Sequence, residues 1–314
     1  MRFIETFREG NHISDVYLCK TKQIALTKNG KEYGSLVLQD KTGTVDAKIW
    51  ELNSPGINEF CALDYVYVDA DVTLFQGQNQ LNVKRIRKAD EGEYHPADYL
   101  PVTTKDIPTM QHELTQYITT IKNQYLRKLA SGYFNDLEFM KAFSFHSAAK
   151  SVHHGFVGGL LEHTLSVVKM CDYFSKQYPV LNRDLLLTAA MFHDIGKLTE
   201  LSTFPANDYT DDGQLLGHIM IGAMEVQKHI DQIEGFPKRT ASELIHCILA
   251  HHGELEYGSP KKPALAEAIA LSFADNSDAK LETMREALSN TPENSLEWQG
   301  FNRFLDSNIR RTSK

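Results

Sequence analysis

Histidine and aspartate residues interrupt several apolar segments in the second half of the chain. Ten of the 13 histidines fall between His146 and His252. The residues that break apolar runs are His163 in "GGLLEHTLSVV", His193 and Asp194 in "AAMFHDIGK", His218 in "LLGHIMIGAM", His251 and His252 in "CILAHHGE", and Asp275 in "AIALSFADNSDA". Buried imidazole and carboxylate groups cost free energy unless they have partners. Neutral imidazole and carboxylate are ligands that suit Mn, Fe, Co, Ni or Zn, so the set predicts a metal site.

The number and pairing of these donors indicate more than one metal ion. A single histidine on an apolar face is more commonly a core residue, but five separate segments repeat the feature. Seven donors exceed what one catalytic metal with an open position needs. Adjacent residues of a helix point about 100° apart, so each doublet is expected to face two positions. Two metals that share a bridging carboxylate are the arrangement that clamps a phosphoryl group.

Helices are the elements that must position these side chains. From about Asp106 onward the apolar residues recur with a helical period. The pattern predicts a long amphipathic helix over 110–134, followed by helices at about 160–178, 183–198, 217–233, 239–252 and 263–288. The core of a helical bundle is a place where side chains from facing helices bind metals.

The first part of the chain has a different pattern, which alternates as β-strands do. Five strand-like runs occupy 14–88, beginning with a long strand at about Asp15–Thr27 that ends in a turn at Asn29–Gly30. A break, "SPGINEF", separates the third run from the fourth. This order predicts a five-stranded OB-fold barrel, with another small β-barrel as the alternative. The fold class expected for the whole chain is multidomain, β followed by all-α.

The charge distribution bears on the partners of the protein. The net charge is −8, although residues 1–88 carry +1 from 12 Lys/Arg and 11 Asp/Glu. An acidic chain that handles phosphates needs local devices such as bound metal ions. The four cysteines are scattered without a CxxC pair, which argues for a reducing compartment and against a thiolate zinc site. With no signal-peptide pattern in "MRFIETFREGNH" and no apolar run of spanning length, we expect a cytoplasmic protein without a membrane contact.

The order of the donor residues resembles that of the HD-domain phosphohydrolase superfamily, and the longer set resembles its two-metal members. By this resemblance, the first metal would be held by His163, His193, Asp194 and Asp275. The second would be held by Asp194, His218, His251 and His252, with Asp194 as the bridge.

In this chain a predicted OB-fold precedes the segments "HHGFVGGLLEHT", "MFHDIGK" and "LAHHG". This domain order is similar to that of YhaM-type 3′–5′ exoribonucleases. The resemblance implies hydrolysis of single-stranded RNA from its 3′ end in the cytoplasm, with two divalent ions. Mn²⁺ is favoured, with Co²⁺ and Fe²⁺ as further choices, and single-stranded DNA and a homo-oligomer are left open. The boundaries expected are 1–88 for the OB-fold, 89–105 for a linker, 106–145 for connecting helices, 146–290 for the HD domain and 291–314 for a tail.

Further residues are candidates for catalysis or substrate binding. Lys197 lies three residues after Asp194 and is predicted to contact phosphate, the alternative being a solvated lysine at a helix end. His153 and His154 are candidates for contacting the terminal nucleotide, and a polar helix start is the alternative. Glu162 and Asp278 are candidates for orienting the ligating imidazoles, and the alternative is that they are exposed or structural charges. In the barrel, base stacking and phosphate contacts are expected from Tyr33, Trp50, Tyr67, Phe75, Lys84, Arg85 and Arg87.

Two other functions remain open at this stage. A hydrolase of small nucleotides or cyclic dinucleotides would use the same metal ligands but would have no need of the barrel. An RNA-binding adaptor with an inert HD domain would need the barrel, and the presence of every proposed ligand argues against it.

Overall fold

The computed structural model describes residues 1–150, 154–289 and 291–313. The chain divides into two compact units, the first of which is Met1–Pro101, while the second begins at Val102. None of the helices in the described ranges has both the length and the apolar character that a membrane span requires.

The first unit contains a closed five-stranded barrel. Its strands are β1 (His12–Leu26), β2 (Glu32–Asp40), β3 (Gly43–Ile49), β4 (Tyr65–Phe75) and β5 (Gln78–Lys88). The order around the barrel is β1-β2-β3-β5-β4, and β1 closes it by pairing with β4. Only β3 and β5 pair in parallel. This is the predicted OB-fold arrangement, which is confirmed.

Side-chain alternation explains how these strands build a core. In β4, "YVYVDADVTLF", Val66, Val68, Ala70 and Val72 are buried while their neighbours face outward. β1 pairs with both of its neighbours, and its register shifts between Cys19 and Thr21. A bulge of this kind bends a strand, which helps one long strand to follow the curve of the barrel.

The segment predicted as a linker after Lys88 packs on the barrel as far as Pro101. The ring of Tyr94 stacks on Tyr65 with 3.9 Å between centroids, and Tyr99 is buried against Tyr65. The segment's Pro, Gly and acidic residues predicted a loop. No local pattern predicted that Tyr94 and Tyr99 would pack on the barrel.

The second unit is helical. Its helices are α1 (Ile107–Thr120), α2 (Gln124–Phe134), α3 (Leu137–Phe145), α4 (Gly159–Gln177), α5 (Arg183–Phe192), α6 (Lys197–Glu200), α7 (Asp211–Asp231), α8 (Lys238–Leu249) and α9 (Ala266–Ser289). A short hairpin follows, formed by β6 (Phe301–Asn302) and β7 (Ser307–Asn308). Apolar side chains from α1 to α5 and from α7 to α9 form one continuous core, in which Leu161, Leu186 and Leu271 are fully buried.

Three helix predictions need correction. The single helix predicted over 110–134 is wrong, because Asn123 caps α2 and the Asp184 carboxylate accepts the backbone N–H groups of Lys122 and Asn123. The helix predicted over 183–198 ends at Phe192, and a turn separates it from α6. The helix that carries His218 begins earlier than predicted and is kinked at Gly217, whose φ is 71°.

Candidate metal centre

All seven predicted metal ligands meet in the core of the helical unit. Four of them follow the ends of α5 and α8, and the others lie within α4, α7 and α9. Their side chains belong to His163, His193, Asp194, His218, His251, His252 and Asp275. Their role as ligands stays a prediction, but the structure brings the whole set together.

One group of ligand atoms lies around the Oδ2 atom of Asp194. This oxygen is 3.4 Å from Nε2 of His163 and 3.4 Å from Nε2 of His193. The Oδ1 atom of Asp275 lies 3.2 Å from Nε2 of His163. These four residues form the set predicted for the first metal.

The other oxygen of Asp194 faces a second group. Its Oδ1 atom is 3.5 Å from Nε2 of His218 and 3.7 Å from Nε2 of His251. Ligand atoms of His218, His251 and His252 all lie within 4.8 Å of one another. The two oxygens of one carboxylate therefore face two clusters, which is the geometry that a bridging ligand requires.

Both doublets lie beyond the ends of the helices that were predicted to carry them. His193 is the C-cap of α5, and Asp194 lies in the turn that follows. His251 and His252 come after α8 has ended at Leu249. The two groups are faced by the separate oxygens of Asp194.

Backbone carbonyls orient three of the imidazole rings. In each of these rings Nδ1 donates to a carbonyl oxygen, which turns Nε2 toward the centre. The pairs are His193 with Ala190 at 2.8 Å, His251 with Ile248 at 2.7 Å and His252 with Tyr257 at 2.7 Å.

Carboxylates orient the other two rings. Nδ1 of His163 donates to Asp278 over 2.7 Å, and Nδ1 of His218 donates to Oε1 of Glu200 over 2.9 Å. The same Glu200 oxygen accepts the backbone N–H of His218, also at 2.9 Å. Sequence reasoning missed Glu200, because 18 residues separate it from His218 and no local pattern joins them. The sequence left the role of Asp278 open between orienting a ligand and a structural charge.

Glu162, the other carboxylate considered for this role, lies elsewhere. Its side chain is bound by Lys105 at 2.9 Å and by Thr103 at 2.5 Å. It therefore links α4 to the start of the helical unit, and among the described residues it contacts no imidazole.

Buried atoms without partners test whether this site fits a metal. Within the described part of the chain, Oδ1 of Asp194, Nε2 of His218 and Nε2 of His251 are buried and have no hydrogen-bond partner. Such atoms are uncommon in folded proteins because each costs free energy. A divalent cation would satisfy all three, and their N and O chemistry suits Mn, Fe, Co, Ni or Zn.

Lys197 lies at the edge of the first group of ligand atoms. Its Nζ atom lies 2.8 Å from Oδ2 of Asp194, and its side chain is only 14% exposed. Burial alone would raise the pKa of the Asp194 carboxyl, but the Lys197 ammonium and the surrounding imidazoles, first among them His193 and His163, hold this pKa well below its usual range. Asp194 is therefore ionised at neutral pH, as a metal ligand must be.

Of the two candidate histidines before α4, the structure describes only His154. His153 lies outside the described residues. His154 is buried, and its Nε2 lies 2.9 Å from Oδ2 of Asp278, the same oxygen that holds His163. His154 thus contacts the partner of a predicted metal ligand, and its substrate role stays a prediction.

The barrel brings together two of its predicted stacking residues. The rings of Tyr33 and Trp50 lie 5.1 Å apart at an angle of 31°, and Trp50 is 43% exposed. The ammonium of Lys48 lies 6.0 Å from the Tyr33 ring. Phe75 is exposed at the β4–β5 turn, and no ring contact joins it to this pair among the described residues.

The predicted basic stripe is largely paired with carboxylates. Lys84 lies 2.5 Å from Asp71, and Arg87 lies 2.7 Å from Glu93. Arg87 also lies 4.9 Å from the Tyr67 ring, and Arg85 packs over Gly56. Exposed ion pairs of this kind are weak, so a phosphate could replace the carboxylates.

Comparison with known proteins bears on the helical unit. Residues 160–280 match the family model of the HD domain. The helical unit contains an HD domain. The match spans the predicted ligands from His163 to Asp275, and the predicted fold class of an OB barrel followed by a helical HD domain is confirmed. An HD domain with this His/Asp cluster indicates a metal-dependent phosphohydrolase.

Solved structures of replication protein A also show similarity to the chain. One is a heterotrimer bound to ssDNA, with 17% identity, 28% of this chain and 65% of that chain covered, and a TM-score of 0.22. Another is the second OB-fold domain of replication protein A from Methanococcus maripaludis, with 21% identity, 29% and 96% covered, and a TM-score of 0.22. The OB assignment beside the HD domain rests on strand order, since these scores are low.

Proposed function

We propose that the protein is a metal-dependent 3′–5′ exoribonuclease that hydrolyses phosphodiester bonds of single-stranded RNA. The observation that carries the proposal is the Asp194 carboxylate, whose two oxygens face two separate ligand clusters within an HD domain. Two divalent ions would supply an activated nucleophile and would neutralise charge on the phosphate. We favour Mn²⁺, with Co²⁺ and Fe²⁺ as alternatives.

The chain's own residues divide the remaining tasks. The first ion would be held by His163, His193, Asp194 and Asp275, and the second by Asp194, His218, His251 and His252. Lys197, buried beside Asp194, would exchange part of this ion pair for an oxygen of the substrate phosphate. Its positive charge would then stabilise the negative charge that develops on the phosphate during hydrolysis.

Strand binding is assigned to the barrel. The paired rings of Tyr33 and Trp50, with Lys48 beside them, suit an unpaired base and its phosphate. Phe75, Lys84, Arg85 and Arg87 remain further candidates for contacts with the strand. The preference for RNA and the 3′ polarity rest on the resemblance to YhaM-type enzymes, as does the cytoplasmic location.

A second candidate function is a hydrolase of small nucleotides or cyclic dinucleotides. The observation in its favour is a cavity of about 390 Å³ beside His163, Lys197 and Asp275. This volume lies near the lower end of the range for small-ligand sites.

A time course on single-stranded RNA labelled at its 5′ end tests the proposed function. With added Mn²⁺ we expect a ladder of labelled products that shortens from the 3′ end, because hydrolysis removes terminal nucleotides one after another. A chelator should stop the reaction, since the ions hold the phosphate. Intact RNA together with rapid hydrolysis of a small dinucleotide would favour the second candidate instead.

Replacing Trp50 with Ala is expected to weaken the binding of single-stranded RNA by about 10-fold, through the loss of one stacking platform. Hydrolysis of a small activated phosphodiester should be unchanged, because that substrate does not need the barrel. Affinity can be measured by fluorescence anisotropy with labelled RNA. Trp298→Ala, which removes an even more exposed tryptophan (65%) in the second unit, is the control. Unchanged RNA affinity in the Trp50 variant would remove this ring from the binding surface.

A further inference from the structure

The cavity beside the predicted metal ligands is also lined by residues that have no part in the proposed chemistry. Its lining includes His163, Lys197 and Asp275. It also includes Tyr257, Ser272, Asn276 and Ala279. A ligand in this space could therefore contact both the reacting centre and these four side chains.

One face of α9 contributes four of these lining residues. Positions three and four residues apart share a helix face, so Ser272, Asp275, Asn276 and Ala279 lie along one side. Small side chains at 272 and 279 leave room in the cavity. In the described ranges, Ser272 and Asn276 make no hydrogen bond through their side chains, so both polar groups are free for a ligand.

Tyr257 lies at the edge of this space and is held there by the backbone. It ends a short 3₁₀ helix, Leu255–Tyr257, and its carbonyl oxygen accepts from Nδ1 of His252 at 2.7 Å. A Cβ atom at Gly253 would come within 2.5 Å of Ser272, so the loop after His252 packs tightly on α9. The ring itself is 64% exposed.

We propose that this cavity is the subsite for the 3′-terminal nucleotide, whose base stacks on Tyr257 while Asn276 and Ser272 bind its polar edge. The inference rests on the proposed exonuclease function. An aromatic ring stacks on any base, because every base has a π-face, so the subsite would accept all four nucleotides. A cavity of about 390 Å³ has room for one nucleotide.

Kinetics on RNA with a normal or an abasic 3′-terminal residue test the subsite. Tyr257→Ala is expected to raise KM for normal RNA by about 10- to 100-fold, with a smaller effect on kcat. Tyr257→Phe should keep the wild-type KM, because the stacking face remains. Metal content should not change, because His252 is held by the backbone carbonyl and not by the ring. Tyr178→Ala, which is 59% exposed on another surface, is the control.

The abasic substrate decides whether the base is what Tyr257 contacts. For the wild type, KM for the abasic strand should exceed KM for normal RNA by about the factor by which Tyr257→Ala raises KM for normal RNA. With the abasic strand, Tyr257→Ala should add little to KM. If the increases in KM from the mutation and from the missing base multiplied, the proposal would be overturned.

Product binding tests the subsite independently of RNA cleavage. With Mn²⁺-loaded protein, Tyr257→Ala should weaken the binding of adenosine monophosphate while leaving that of ribose 5-phosphate unchanged. If the wild type cleaves no RNA and this difference still appears, the proposed function fails and the nucleotide subsite stands. If both ligands bind equally well to both proteins, the subsite is wrong whatever the activity.

Discussion

The Asp194→Asn variant is expected to lose hydrolysis of RNA by more than about 10³-fold and to lose metal from both positions. Asparagine keeps the shape of the side chain but removes its charge and one of the two oxygens. Those oxygens face His163 and His193 on one side and His218 and His251 on the other. Loss of this one carboxylate should therefore disturb both clusters.

Elemental analysis after loading with Mn²⁺ and single-turnover rates on the same preparation provide the test. The wild type should hold about two ions per chain, as a two-metal site requires. Asp231→Asn, at the exposed end of α7, controls for the substitution itself. A variant that keeps two ions and cleaves at the wild-type rate would remove the bridging role of Asp194.

Lys197→Met is expected to keep its metals but to lose about 10²- to 10³-fold in single-turnover rate, comparable with the loss of one oxyanion donor. Methionine keeps most of the length of the side chain and removes the charge. The ammonium lies 2.8 Å from Asp194 and would repel a metal ion there, so its removal should not weaken metal binding.

The same two measurements, made on one preparation, separate the roles that Lys197 could have. Lys150→Met is a matched control, since Lys150 forms an exposed ion pair with Asp208 away from the predicted ligands. If Lys197→Met lost its metals, the lysine would serve to hold Asp194 in place, and the phosphate contact would be wrong.

The parts of the protein that were predictable from the sequence are those with a local signal. The alternating residue pattern of β4 and the break after the third strand were sufficient to predict the barrel. Repeated histidines on apolar segments identified the seven residues that come together, because polar residues in such positions need partners.

The parts that could not be predicted depend on contacts between distant segments. The break before α2 depends on Asp184, which is about 60 residues away in the chain. Glu200 becomes relevant only when the kink at Gly217 directs His218 toward it. Tyr94 and Tyr99 became anchors because Tyr65 lies beneath them. None of these pairs leaves a periodic pattern in the sequence.

The glycine that follows the Asp194 turn determines how the two clusters are spaced. A Cβ atom at Gly196 would lie 2.0 Å from the carbonyl oxygen of His218 and 2.7 Å from the backbone nitrogen of Gly222. The chain segment that carries Asp194 therefore touches α7 backbone to backbone, with no side chain between them. The distance from Asp194 to His218 is fixed when the protein folds, so the conformational entropy of bringing them together is lost at that stage and is not subtracted from the affinity for ions.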